Sequence, residues 1–294
     1  MNNNSLKISV IIPVYNEEDR IFDCLNSITN QTVKPLEIIV VDNNSTDQTI
    51  SIADRFKDVK VISEKKQGLS MARNKGFNSA RGDLLARIDA DTIVPPEWVQ
   101  QLKNEFIYDK NLDGISGYGR TRVGLTLPLI SDFLSWAYFT HCKAFFGVTM
   151  LWGSNMAIRS SAWKKVRALC YLDDSMVHED EDLSLALNSV GCKLQNVPYI
   201  RVSVDFGDIQ YFDKFWHYNI KKHNTRQIHR QHFRSKLVTN KYLPFGTRLA
   251  YHFVATWTVG MYMMASALNS TRRMLLKYSR NSYFYRLFQK NHIN

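Results

Sequence analysis

A chain of 294 residues, 45% of them hydrophobic, is long enough for one large domain or for a large domain with a smaller appendage. Its four cysteines have no Cys-x-x-Cys spacing, which argues against a disulfide framework and a zinc site and is typical of a reducing cytoplasm. The polar first residues lead directly into an apolar run, so we expect no export signal.

The net charge of +11 is unevenly distributed along the chain. From position 210 onwards there are 15 Lys and Arg but one acid, Asp213, which gives +14 and leaves −3 for the rest. We therefore divide the chain into a mildly acidic region, 1–209, and a strongly basic region, 210–294. The basic region favours an anionic partner, either a phospholipid surface or nucleic acid.

Short β-branched runs alternate with amphipathic stretches in the first hundred residues, which predicts an α/β protein with a parallel sheet. The predicted strands are 8–14, 37–41, 59–62 and 84–88, and the predicted helices are 18–30, 47–56 and 69–80. Polar residues follow these strands, at the sheet edge where open α/β proteins bind ligands.

The chain changes character after a further predicted strand at 114–120. Residues 125–152 are rich in Phe, Trp, Leu and Tyr. We expect a buried helix packed on the sheet; a lip that faces a membrane or an acceptor is the alternative.

Asp89 and Asp91 lie one residue apart, directly after an apolar strand. Two carboxylates about 4 Å apart repel by about 4 kcal/mol at an effective dielectric constant near 20, so a site that holds both usually shares a cation. A hard divalent ion suits such oxygen ligands. An ordinary acidic loop is the alternative for an isolated Asp-x-Asp pair.

Three ordered segments favour the ligand-binding interpretation: ISVIIPVYNEE, EIIVVDNNSTDQT and GLSMARNKGFNSARGDLLARIDADTIVPPEWV. Together they resemble the family 2 glycosyltransferases of GT-A fold, over about residues 8–191. The resemblance implies a GT-A-like, Rossmann-type α/β fold with a mixed, mainly parallel sheet flanked by helices. Region 1–209 would be the nucleotide-sugar-binding and catalytic domain, and region 210–294 a basic helical, membrane-associating extension.

The family uses the ends of its first strands to hold the nucleotide and its Asp-x-Asp motif to hold a metal ion. By resemblance, the donor-binding residues are Pro13, Tyr15, Glu17, Asp42, Arg73 and Asp89. Asp91, together with Asp89, matches the ligands of a Mn2+ or Mg2+ ion. Taken alone, Asp42 could be a loop residue before a helix, Glu17 a first-turn acid and Arg73 a solvated helix residue.

A second acidic cluster, HEDEDL at 178–183, precedes an amphipathic stretch. Acids at a helix start complement the helix dipole, so some of them have only that role. The cluster nevertheless resembles the family's Glu-Asp-x-Asp-Leu motif, which implies Asp180 as general base, with Glu179 or Asp182 as alternatives.

Two further blocks concern the acceptor and the metal. Gly153-Ser154-Asn155 resembles the family's acceptor-side Gly-x-Asn block. Relatives often place a His beyond the acidic motif as another metal or phosphate contact, but here VPYIRVSVDF offers only Asp205, and His217 and His223 lie farther on. The third metal ligand therefore stays open.

Residues 249–268 carry no formal charge and would form a helix about 30 Å long. Moderate hydrophobicity and the basic flanks, Arg248 and Arg272, favour a re-entrant or in-plane segment on anionic lipid over a full crossing. A buried helix of a soluble domain is the alternative. Nucleic acid is the weaker partner, because no binding motif accompanies the charge.

The residues and the resemblance together predict a metal-dependent, inverting glycosyltransferase at the cytoplasmic face of the membrane. Its donor would be a UDP-sugar and its acceptor a glycan or a lipid-linked molecule. A catalytically silent, membrane-docked nucleotide-sugar-binding module is the alternative. A dinucleotide-dependent oxidoreductase is disfavoured, because residues 13–16 replace the Gly-x-Gly-x-x-Gly turn that such an enzyme needs.

Overall fold

A computed structural model of the chain describes residues 6–121, 128–204 and 220–229. One eight-stranded sheet, in the order β3-β2-β1-β4-β7-β6-β8-β5, has helices packed on both faces. The strands are β1 (Ile8–Val14), β2 (Glu37–Asp42), β3 (Val59–Ser63), β4 (Leu84–Arg87), β5 (Thr92–Ile93), β6 (Gly114–Thr121), β7 (Met156–Arg159) and β8 (Leu194–Val204). The helices are α1 (Ile21–Thr29), α2 (Thr49–Ala53), α3 (Leu69–Ser79), α4 (Trp98–Tyr108), α5 (Pro128–Phe146), α6 (Ser160–Val166), α7 (Glu179–Ser189) and α8 (220–229).

β1 to β4 form the parallel half of the sheet, as their sequences predict. All seven residues of β1 are buried, because a parallel strand between two helix layers exposes neither face. Val10 and Ile12 pack in the core layer that contains α1, whereas Ile11 packs in the layer that contains α3. This alternation is the period of two expected for a strand.

The predicted elements of this half are confirmed, with shifts at their ends. α1 begins at Ile21 and not at residue 18, because the preceding residues form a loop bonded to the β2–α2 connection. In that loop the Glu17 N–H donates to Thr49 Oγ1 and the Glu18 N–H donates to Asp47 Oδ2. α2 is correspondingly short, from Thr49 to Ala53.

β5 to β8 form the mixed half of the sheet. Of these four strands, β6 alone was predicted from the sequence. β7 runs antiparallel to both β4 and β6, while β6 and β8 pair in parallel. Because β7 runs back along β4, its first residue, Met156, lies opposite Arg87, the last residue of β4. The residues just before β7 are thereby brought to the end of β4. The mixed, mainly parallel sheet is the one that the resemblance implies.

The apolar stretch 125–152 contains α5, so the expectation of a helix packed on the sheet is confirmed for one of its faces. Phe139 and Cys142 on that face pack against Tyr118 of β6 and Leu185 of α7. Phe133 and Trp136, on another face of the helix, are exposed.

Most of region 210–294 lies outside the described residues, and so do the uncharged run 249–268 and the candidate ligands Asp205 and His217. Within the described ranges, no helix combines the length and apolar character needed to span a membrane. α8 is the part of the basic region that the structure describes, and it packs on α7.

Candidate active site

The carboxyl ends of β1 and β2 lie side by side and carry the predicted nucleotide-binding residues. Val14 pairs with Asp42 in the sheet register, and the Asn43 N–H donates to the Val14 carbonyl. The loops beyond the strands are joined as well, because the Thr46 N–H donates to Asn16 Oδ1. Asn16 has a φ of 54°, a left-handed conformation that Asn tolerates better than most residues.

The four predicted donor-binding residues at this edge differ in their burial and in their contacts. Pro13 is buried within β1 and Tyr15 is half-exposed just beyond the strand. Asp42 accepts a hydrogen bond from the Ser45 N–H. This contact shapes the loop after β2, which is the role that the sequence offers as the alternative to donor binding. Burial, opposed by Arg20 but reinforced by the negative charge of Asp89, raises the pKa of Glu17. Glu17 is therefore within electrostatic reach of the Asp-x-Asp motif.

Arg87, at the end of β4, connects the two acidic motifs. Its Nη2 lies 2.8 Å from Asp89 Oδ1, and its Nη1 contacts both Asp180 Oδ1, at 2.9 Å, and Glu179 Oε1. The Arg87 side chain is 99% buried, so these ionic contacts are screened little by solvent. One fixed cation thus holds the end of β4 against the first turn of α7.

The 3₁₀ turn Gly153–Asn155, just before β7, completes this cluster. The Gly153 N–H donates to Asp180 Oδ2 at 2.9 Å, and the Ser154 hydroxyl donates to Asp89 Oδ2. A Cβ on Gly153 would lie 2.6 Å from Arg87 Cζ and 2.6 Å from Asp180 Oδ1, closer than real Cβ contacts. Only glycine therefore lets the turn approach both charged groups, and the predicted residues Gly153 and Ser154 do meet Asp89 and Asp180.

The adjacent residues Glu179 and Asp180 have pKa values shifted in opposite directions. Burial disfavours the charged form of Glu179, but Arg87, a hydrogen bond with Asp180 and Arg73 outweigh it and lower its pKa. Burial and the adjacent negative charge of Glu179 raise the pKa of Asp180 well above its usual value, against the opposing effect of Arg87. Asp180 is therefore the more basic carboxylate, which is the property that a general base requires.

Arg73 contacts the second acidic motif. It is fully buried in α3, and its Nη1 donates to Glu179 Oε2 at 2.7 Å and to the Glu179 carbonyl at 2.8 Å. Its remaining nitrogens bond to Asn74 Oδ1. These contacts orient Glu179 and join α3 to α7; donor binding by Arg73, which the resemblance implies, stays a prediction.

The other two acids of the second motif bind α8. Asp182 is fully buried, and its oxygens accept hydrogen bonds from the Tyr171 N–H and from His229 Nε2, at 2.9 and 2.8 Å. Glu181, also buried, makes a two-point ion pair with Arg226. These contacts assign Asp182 a structural role and leave the alternative of Asp182 as base without geometric support. Glu179, with its lowered pKa and two arginine partners, is also a weaker base than Asp180.

Asn155 is a buried structural link within the predicted acceptor-side block. Its Nδ2 donates to the carbonyls of Tyr118 and Ile200, and its Oδ1 accepts the indole N–H of Trp98 at 2.9 Å. With all these bonds made inside the protein, Asn155 fixes the 3₁₀ turn against β6, β8 and α4. It differs in this respect from Ser154, its neighbour, which faces Asp89.

The candidate metal ligands Asp89 and Asp91 are both half-exposed at the end of β4, so their oxygens suit a hard divalent ion. Within the described ranges, no three His, Cys, Asp or Glu side chains converge as a complete metal site. Of the proposed third ligands, only His223 is described; it is exposed on α8 and bonds to Gln227. Two aspartates that leave coordination positions for donor oxygens fit an ion bound together with a nucleotide diphosphate.

Arg87 was not predicted from the sequence, although a signal for it is present. An arginine in the otherwise apolar run LLARI is rarely buried unless it is paired. Its three carboxylate partners lie at residues 89, 179 and 180, and the last two could not be located from local patterns.

The sequence profile of glycosyl transferase family 2 matches residues 9–167, which is more than half of the chain. The chain belongs to this family. EpsH of Bacillus subtilis, described as a putative glycosyltransferase, is 39% identical over 99 residues, 32% of this chain and 29% of that protein. An uncharacterized glycosyltransferase of Haemophilus influenzae is 29% identical over 211 residues, 65% of this chain and 62% of that one. The matched part of the chain thus spans less than two thirds of the length of either relative.

Two solved structures share the fold. The mannosyltransferase PcManGT of Pyrobaculum calidifontis, in complex with GDP-Man and Mn2+, superposes with a TM-score of 0.57 at 20% identity. The superposition covers 97% of this chain and 83% of PcManGT. Staphylococcus aureus TarS 1–349, in complex with UDP-GlcNAc, superposes with a TM-score of 0.53 at 21% identity, over 69% of this chain and 60% of the TarS chain. These similarities confirm the GT-A fold that was predicted for the chain.

Proposed function

We propose that this family 2 glycosyltransferase is an inverting enzyme that transfers a sugar from a UDP-sugar to a glycan or lipid-linked acceptor. The observation that carries the proposal is the position of Asp180, a carboxylate of raised pKa held between Arg87 and the Gly153 N–H, in one network with Asp89 of the Asp-x-Asp motif.

Asp180 is the general base of the proposed reaction. A sugar hydroxyl is a poor nucleophile at neutral pH, and a carboxylate within hydrogen-bond reach contributes about 10²–10⁴-fold by accepting its proton. The hydroxyl oxygen bonds to the anomeric carbon as the bond from that carbon to the diphosphate breaks. The proton passes to Asp180, and the nucleotide diphosphate is the leaving group. One displacement from the opposite face inverts the anomeric centre without a covalent intermediate.

The other residues of the cluster hold the reacting groups in place. Arg87 fixes Asp180 relative to Asp89, Gly153 orients the second oxygen of Asp180, and Ser154 orients Asp89. Asp91 and Asp89 would hold a Mn2+ or Mg2+ ion, which supplies positive charge that stabilises the departing diphosphate. Pro13, Tyr15, Glu17 and Asp42 form the nucleotide end of the proposed donor site.

The proposed location is the cytoplasmic face of the membrane, with region 210–294 on anionic lipid. The support is the charge of that region and the cytoplasmic supply of nucleotide sugars. Flotation of the full chain with vesicles that contain anionic phospholipid tests this part of the proposal. Equal recovery with neutral vesicles would contradict it.

The function is tested by thermal shift of the full chain with UDP and GDP, each with and without Mn2+, followed by sugar-transfer assays with the matching donors. We expect stabilisation by UDP that increases with Mn2+, because a ligand that binds only the folded state raises its stability. The variant Asp91→Asn should lose the Mn2+-dependent part of the stabilisation by UDP, and should lose donor turnover, while remaining folded. Unchanged turnover would contradict the metal role. Nucleotide binding without transfer to any acceptor would instead indicate a silent binding module.

A further inference from the structure

The four acids at the start of α7 divide into two pairs with different partners. Glu179 and Asp180 contact Arg87, whereas Glu181 and Asp182 contact α8. Asp180, the proposed base, therefore lies in a helical turn whose next two side chains are both held by α8. α8 belongs to the basic region 210–294, which is predicted to associate with the membrane.

The contacts between α8 and α7 are numerous and buried. Arg226 Nη2 and Nε lie 2.7 and 3.1 Å from the two oxygens of Glu181, and His229 Nε2 lies 2.8 Å from Asp182 Oδ1. The Thr225 hydroxyl accepts the N–H of His178, the residue before α7, at 2.8 Å. Glu181, Asp182, Thr225 and His229 are all fully buried. Contacts on both sides of Asp180 in the sequence thus fix the backbone from which its side chain extends.

α8 also contacts α5, so it links α7 to a second helix of the domain. The Lys222 ammonium lies 4.9 Å from the centre of the Tyr138 ring of α5 and 4.0 Å from Glu181 Oε1. A shift of about 1 Å in a catalytic group can cost about 10²-fold in rate, so this support bears on turnover as well as on stability.

We propose that α8 positions the catalytic base: Arg226, through Glu181, and His229, through Asp182, set the place of Asp180 relative to Arg87 and Gly153. This inference rests on the proposed function, in which Asp180 is the base. It makes Arg226 and His229 positioning residues, and it gives part of the basic region a role in the reaction itself.

The test compares Arg226→Met with Arg226→Lys, and His229→Leu with His229→Gln, in the full chain. Met and Leu remove the polar contact. Lys keeps the charge of Arg226, and Gln places an N–H near the position of His Nε2. We expect the Met and Leu variants to lower kcat about 10- to 100-fold, with the donor KM and nucleotide affinity within twofold of wild type. The Lys and Gln variants should recover most of the lost kcat.

The matched control is Gln227→Met, an exposed position on the same helix, which should keep the wild-type kcat. Wild-type kcat in folded Arg226→Met and His229→Leu would overturn the inference. A loss of kcat that follows the loss of melting temperature, without recovery in the Lys and Gln variants, would also overturn it in favour of a merely structural contact. Should Arg226→Met fail to fold, Glu181→Gln provides the same comparison with less change of shape.

These outcomes separate the inference from the function on which it rests. A wild-type chain that transfers no sugar would contradict the proposed function, and the positioning role with it. A wild-type chain that transfers sugar, with variants that match it, would contradict the positioning role alone.

Discussion

The parallel half of the sheet, β1 to β4, and the mixed half, β5 to β8, place their functional groups in different ways. In the parallel half, strand register alone puts Val14 beside Asp42, so neighbouring loops form the edge that is predicted to bind the nucleotide. In the mixed half, Gly153 and Asp180 come from separate segments and meet at one buried cation, Arg87. We therefore expect the substitutions that lower catalysis to lie in the mixed half and at Arg87, and we expect substitution of the buried Glu37 in the parallel half to affect stability alone.

The largest effect is expected for Asp180→Asn, because an amide cannot accept the proton. Transfer should fall about 10²–10⁴-fold while nucleotide affinity is retained. Steady-state kinetics and calorimetric titration of the nucleotide measure the two quantities. Asp182→Asn is the matched control: it weakens the contacts to Tyr171 and His229, and we expect a lower melting temperature and a smaller loss of kcat. The reverse pattern would move the base to Asp182.

Gly153→Ala should lower transfer about 10²-fold, because the added Cβ must displace Arg87 or Asp180. The same crowding should cost about 1–3 kcal/mol of stability. Gly191→Ala is the control, since its Cβ would meet nothing within 4 Å and only its φ of +77° is strained. That variant should lose about 1 kcal/mol and keep its turnover. Equal turnover in both variants would show that the 3₁₀ turn tolerates displacement.

Ser154 and Asn155 are adjacent residues with opposite expected effects. Ser154→Ala removes the hydrogen bond to Asp89 and should lower kcat about tenfold with little change in stability. Asn155→Ala leaves buried partners at Trp98, Tyr118 and Ile200 unsatisfied, and should lower the free energy of unfolding by about 3 kcal/mol. Chemical denaturation and kinetics on the folded fraction separate the two. A catalytic loss in Asn155→Ala without destabilisation would contradict the assignment.

The smallest effect is expected for Glu37→Gln in the parallel half. Burial opposes ionisation of Glu37, but hydrogen bonds from Ser9 and the Arg81 N–H, and the Arg81 charge, lower its pKa below the usual value. The contribution of the Glu37 carboxylate to the free energy of unfolding is therefore complete above the unfolded-state pKa, about 4.3. It is lost as pH falls through the lower folded-state pKa. The variant should lose about 1 kcal/mol at pH 7 and keep its kcat.

Measuring unfolding of wild type and Glu37→Gln at pH 7 and near pH 3 checks this sign. The difference between the two proteins should shrink at the lower pH. A difference that grows as the pH is lowered would show that the carboxyl group is held in its neutral form.

Local patterns were sufficient for the parallel half and insufficient for the mixed half, for identifiable reasons. β1 and β2 are continuous Ile- and Val-rich runs of ordinary length, whereas β5 has only two residues. A strand of two residues carries no resolvable alternation. The order of β7 between β4 and β6 depends on pairing between distant segments, which periodicity does not report.

The amino-acid sequence by itself determined the α/β class, the order of the first elements and the positions of Asp89, Asp91 and the second acidic motif, because these follow from local apolar patterns and from recognisable motifs. Only the tertiary structure decided which acids of that motif meet Arg87 and which meet α8. Asp180 and Asp182 are two residues apart, but one meets Arg87 across 93 positions of sequence and the other meets His229 across 47. Burial and partner choice are properties of the packed chain, so they raise the pKa of Asp180 and leave Asp182 to hold a helix.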